Sequence, residues 1–175
     1  MGPLSAMKKK ASLVYEEGDL FGVPLEDWGF GVGLIARRKP GRGNHEMFAY
    51  FWGHRFPEPP KPYDLLDITP RTAIAEWKFG DLGIIEGHWP ILGTLPGFRR
   101  EEWPLPTFGF VMPKSPSGTA YLRIYDDTDP AILLEEQLVN AAVAERFPRD
   151  GTAGDKALEY KLTVAIQDYE KHKMN

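Results

Sequence analysis

The chain of 175 residues contains no cysteine. That excludes a disulfide scaffold, thiolate metal sites and a cysteine nucleophile. Serine is scarce: Ser5, Ser12, Ser115 and Ser117 are all there is, and none sits in a Gly-x-Ser-x-Gly elbow. His45, His54, His88 and His172 form no His-Glu-x-x-His pair, and no two stand at helical ligand spacing. No run approaches the roughly 18 apolar residues of a membrane span. Lys8, Lys9 and Lys10 have no apolar block after them, as a signal peptide would, so the expected compartment is the cytoplasm. Positive charge is not in excess either. With 21 Lys+Arg against 25 Asp+Glu the formal charge is −4, which does not favour a nucleic-acid partner.

What is present points to a β-rich domain. Glycine (18) and proline (16) are abundant, which argues against a helical bundle and for short strands joined by turns. The length suits one domain with a real core. Met7 before the three lysines reads as a natural start, with Met1 to Ala6 as an upstream extension, and residues 1–14 are expected to be a flexible N-terminal segment. A single domain then occupies 15–175. Gly18–Leu25, Gly29–Arg37 and Met47–Trp52 read as three strands of an antiparallel meander. In the second, Phe30, Val32 and Leu34 point one way while Gly29, Gly31 and Gly33 leave the other face bare for close approach. These glycines alternate inside a strand and open no helix, so they are not a dinucleotide fingerprint.

Pro57, Pro59, Pro60 and Pro62 make a stiff connector. Leu65–Ile68, Ala73–Phe79, Phe108–Met112 and Ala120–Tyr125 are further strand candidates. Asp129-Pro130 has the form of a helix start, with Leu134, Leu138 and Ala142 on one face. Ala131–Val139 equally reads as a strand before a shorter helix. Asp155–Lys171 carries a clear helical stripe of Leu158, Leu162, Ala165, Ile166 and Tyr169. Strands first and helices last give an α+β fold: a curled, barrel-like antiparallel sheet with C-terminal helices packed on it.

Candidate chemistry is sparse, and no catalytic residue, metal ligand set or cofactor motif emerges. Glu86 and His88, two apart, are the only handle for a hydrolytic or small-molecule site. Arg37, Arg38, Lys39 and Arg42 read as a solvated hairpin tip with the option of phosphate contact. The charge asymmetry is more informative. Residues 120–175 hold 7 basic and 11 acidic side chains, so the whole net charge lies there. Asp126, Asp127, Asp129, Glu135 and Glu136 form an acidic run suited to a basic protein partner. Trp28, in a turn beside glycines, is the tryptophan to expect exposed as a binding anchor. Reversing Asp126, Asp127 and Asp129 to lysine is expected to weaken such binding and leave the fold intact.

Glu17-Gly18-Asp19-Leu20-Phe21-Gly22-Val23-Pro24-Leu25, then Phe30-Gly31-Val32-Gly33, resembles the start of the immunity protein 26 family. Gly87-His88-Trp89-Pro90-Ile91-Leu92-Gly93 resembles its middle, and the likeness runs over roughly residues 15–165. The resemblance implies a non-enzymatic cytoplasmic antidote that binds the cognate toxin of a bacterial polymorphic toxin system. Two rivals stand beside it. One is a nucleic-acid-binding small barrel related to endoribonuclease toxins. The other is a small-molecule or hydrolytic domain using Glu86 and His88.

Overall fold

A computed structural model describes residues 15–41 and 45–175. The expected flexible segment 1–14 therefore lies outside the described residues, and so does Arg42 of the basic tip. The elements are β1 (Asp19–Pro24), β2 (Phe30–Arg38), β3 (Glu46–Phe51), β4 (Ala75–Gly80), α1 (Leu82–Ile85), β5 (Ile91–Thr94), β6 (Phe108–Val111), β7 (Thr119–Tyr125), β8 (Leu133–Asn140), α2 (Ala141–Ala144), β9 (Thr152–Ala153) and α3 (Asp155–Lys173). The architecture is α+β. A six-stranded sheet runs β5-β1-β2-β3-β4-β9, and β6-β7-β8 form a second sheet. The large sheet ends in two different strands, so it does not close into a barrel. Its pairings are antiparallel except β4 with β9.

The meander β1-β2-β3 forms because both of its faces find cover. One face presents Phe21, Val23, Ile35, Ala49 and Phe51 to Leu158, Leu162 and Ile166 of α3 and to Trp89. The other presents Leu20, Val32, Leu34, Phe48 and Tyr50 to Leu65, Ile68, Trp103 and Phe108. The bare glycine face is where α3 sits. A Cβ on Gly31 would stand 2.7 Å from Leu162 Cδ2, and one on Gly33 2.5 Å from Phe21 Cζ. Only hydrogen fits at either position.

Two expected elements take other forms. Leu65–Ile68 is not a strand: a 3-10 turn covers Pro62–Leu65, closed by the Lys61 N–H to Asp64 Oδ2 at 3.0 Å. Leu65 and Ile68 still bury as plugs beneath the sheet. Asp129-Pro130 starts no helix. Asp129 Oδ1 accepts from Ala131 N–H at 3.0 Å, and Asp126 N–H donates to Ile132 O at 2.9 Å. These bonds close the β7–β8 hairpin, so the strand-then-short-helix alternative is the one the chain adopts. Asn140 then caps α2 through Val143 N–H at 2.9 Å.

A buried ionic cluster ties the two sheets together. Lys78 of β4 meets Asp150 at 3.0 Å, and Asp150 also accepts from Tyr125 Oη at 2.6 Å and Arg123 at 3.0 Å on β7. Lys78 Nζ lies 3.3 Å from the centre of the Tyr125 ring. Burial pushes the Asp150 carboxyl up, but these three donors outweigh it and hold the group below its ordinary value.

Candidate partner-binding surfaces

The acidic run does not lie open as one patch. The loop after β7 folds back on itself: Asp126 Oδ1 accepts from Thr128 N–H at 2.8 Å, Thr128 Oγ1 at 2.6 Å and Asp129 N–H at 3.0 Å. Asp127 reaches across to the end of β2, where its Oδ1 accepts from Arg37 Nε at 2.8 Å, and Arg100 binds its other oxygen. Asp129 is largely buried and lies 3.7 Å from Lys39. Glu136 pairs with Arg123 on the neighbouring strand at 2.8 Å. Glu135 is exposed and opposite Ile124, and its carboxylate has no ion pair or hydrogen bond among the described residues. The outward negative charge is thus concentrated on β8, while the three aspartates build the loop that carries it.

The basic tip is only in part the solvated turn the sequence suggests: Lys39, Pro40 and Gly41 are exposed, but Arg37 and Arg38 fold inward. Arg37 is only 3% exposed, and its Nη1 donates to Ala36 O at 2.6 Å and Trp103 O at 2.9 Å. Arg38 lies 4.9 Å over the Tyr15 ring. Arg37 and Arg38 are thus satisfied within the fold, while Lys39 stays exposed. It also follows that reversing Asp127 would set a lysine against Arg37 and Arg100, so the triple aspartate reversal perturbs the fold as well as any interface.

Trp28 is 55% exposed in the β1–β2 turn, as expected of an anchor. Arg55, which no sequence signal singles out, organises this corner. Its guanidinium stacks 4.7 Å from the Trp28 ring and donates to Asp27 Oδ1 at 2.6 Å, Trp28 O at 3.0 Å and Glu170 Oε1 at 2.7 Å. The Arg55 hydrogen bond holds the Asp27 carboxyl down to about 2. Trp28 and Asp127 mark opposite ends of β2, about 30 Å apart at the rise of a strand. The fold does not bring them into one compact site.

Glu86 and His88 are both exposed, with His88 Nδ1 3.5 Å from Glu86 Oε2. Asp155, at the start of α3, joins them, and the three ligand atoms lie within 4.8 Å of one another. The pocket with Trp89 that a hydrolytic reading needs does not follow. Trp89 is fully buried, its indole N–H bonded to Glu159 Oε1 at 3.0 Å, while Glu86 and His88 stand on the surface. A groove of about 470 Å³ lies elsewhere, between Ile74–Trp77 and Arg146–Arg149.

The segments that carry the family resemblance meet in space. Trp89 stacks on Phe21 of β1 with ring centres 6.1 Å apart, and Gly22 N–H donates to Pro90 O at 2.9 Å. A family model described as immunity protein 26 matches residues 16–116. The chain belongs to the immunity protein 26 family. Membership supports an immunity role. The matched residues end between β6 and β7, short of the roughly 15–165 that the resemblance suggested. They cover the meander, β4, α1, β5 and β6, whereas the acidic run, β8 and α3 lie beyond them. No curated protein and no solved structure matches the chain. Among the described residues no helix is long and apolar enough to cross a membrane.

Proposed function

We propose that this immunity protein 26 family member neutralises a cognate toxin domain in the bacterial cytoplasm by stoichiometric binding, without catalysis. Family membership carries the reading. The surface chemistry agrees with it. The hairpin from Asp126 to Glu136 offers negative charge at Glu135 and Glu136 beside exposed aliphatic side chains, on a loop stiffened by Asp126, Asp127 and Asp129. A toxin that acts on nucleic acid needs a basic cleft, and an acidic strand attracts such a cleft over several ångströms and speeds encounter. Trp28 is the second contact in this reading, because it is a large exposed ring held rigid by Arg55.

The test is direct. The toxin domain, sought among the genes flanking the one for this chain, is expressed with and without it, and the pair is passed over a sizing column at two salt concentrations. Growth rescue with a one-to-one complex supports the reading. A toxin that kills equally with and without the chain, and does not co-elute, refutes it.

A further inference from the structure

The edge of the small sheet carries more than charge. β8 pairs with β7 on one side only, because the order β6-β7-β8 ends there. Two bonds fix the phase of its ladder: Met112 N–H to Thr119 O and Asp126 N–H to Ile132 O, both 2.9 Å. Antiparallel strands alternate residues that exchange bonds with a neighbour and residues that do not. In this register Ala120, Leu122 and Ile124 turn their backbones toward Val139, Gln137 and Glu135. Glu136 and Leu138 therefore turn N–H and C=O to the open edge.

The side chains there are of an unusual kind for a free edge. Leu134 is 60% and Leu138 68% exposed, with Ile124, Ile132 and Leu133 also exposed around them. Folded proteins normally blunt such edges with charges, lysine above all, with proline, a bulge or a covering element. Among the described residues β8 has no lysine, proline or cover along Leu133–Asn140, and its charges are the acidic Glu135 and Glu136. Its bulge, where Leu134 falls between the pairs Ile124–Glu135 and Tyr125–Leu133, leaves that leucine free as a knob.

We infer that β8 is a docking edge which takes an extended strand of the toxin by β-augmentation, the incoming strand carrying aliphatic side chains and at least one lysine or arginine. The inference rests on the proposed immunity function. Charge selects this occupant over a second copy of the chain. Antiparallel pairing of two β8 strands over their length sets Glu136 opposite or diagonal to its own counterpart, with both Glu135 carboxylates close by, and like charges in those positions repel. A basic strand instead neutralises the Glu135 carboxylate, which has no partner among the described residues. Main-chain bonds to Glu136 and Leu138 supply affinity, and the leucines supply the apolar contact.

The probe is the toxin domain of the growth-rescue test, purified in a catalytically inactive form. Leu138→Pro removes an outward N–H while leaving the β7 ladder through Gln137 and Val139 in place, a position where edge strands tolerate proline. Leu138→Ala keeps that N–H. The expected result is binding at least about tenfold weaker for Leu138→Pro than for Leu138→Ala, with equal thermal midpoints, and slowed amide exchange at Glu136 and Leu138 in the parent complex. Should Leu138→Pro lower the midpoint, Leu134→Lys with Leu138→Lys blocks the same edge without touching the backbone and should weaken binding alike. Toxin that binds the parent and the blocked variant equally, with no slowing at those amides, overturns the docking edge and leaves the immunity function standing. Toxin that fails to bind the parent overturns the immunity function itself.

Discussion

The contact between the bare face of β2 and α3 makes a quantitative prediction through a double-mutant cycle at Gly31 and Leu162. Leu162 is fully buried. Truncation to alanine removes three carbon groups at about 0.8 kcal/mol each, and a term for the unfilled cavity brings the cost to about 3–4 kcal/mol. Gly31→Ala acts in the opposite sense. Its methyl would stand 2.7 Å from Leu162 Cδ2 and 3.1 Å from Ile166 Cδ1, so the helix must lift or the leucine must turn. Overpacking of this kind costs about 1–3 kcal/mol, reduced by about 0.4–1 kcal/mol because alanine restricts the unfolded chain. Independent effects would sum to about 5 kcal/mol. They are not independent, because Leu162→Ala deletes the carbon that the new methyl strikes and the methyl enters the vacated space. The double variant is therefore expected at about 3 kcal/mol, a coupling of about 2 kcal/mol. Urea unfolding of the four proteins measures it, with midpoint temperatures moving about 2–4 °C per kcal/mol for a chain of this size. Additivity within about 0.5 kcal/mol would show that α3 is not seated on the glycine face.

Asp150→Ala should cost about 3 kcal/mol by thermal or urea unfolding, since it removes the nearest carboxylate of the buried Lys78 ammonium and leaves only Glu46 at 3.6 Å. An unchanged midpoint would show the cluster to be dispensable. Asp27 has a folded value near 2 against an ordinary 3.8, so its contribution is full above about pH 4 and fades as pH falls toward 2. Asp27→Asn should lower stability at neutral pH and converge on the parent as pH falls toward 2, which flattens that part of the acid-unfolding curve. Glu135→Lys should slow association with the toxin and weaken its salt dependence without moving the unfolding midpoint. Stopped-flow rates at two ionic strengths decide that point.

Local pattern was enough for the meander, the seat of α3 and the exposure of Trp28. In each case the signal is confined to a few neighbouring residues: glycines at every second position, a leucine stripe at helical spacing, a tryptophan in a tight turn. Family membership was legible for the same reason, because the resembling segments are short runs that build β1 and the α1–β5 turn. What the chain alone left undecided depends on partners distant in sequence. Leu134 and Leu138 fit a helical stripe as well as a strand, and only pairing with Tyr121–Tyr125 commits them to an edge. Arg37 looks solvated until the fold brings Trp103 and Asp127 to it from 66 and 90 residues away. The acidic run reads as one face in sequence, yet long-range ion pairs consume Asp127 and Asp129 and leave the Glu135 carboxylate without a partner among the described residues. Composition sets how much charge and apolar surface a chain carries, whereas tertiary contacts decide which of it is neutralised inside the fold and which is left to meet a partner.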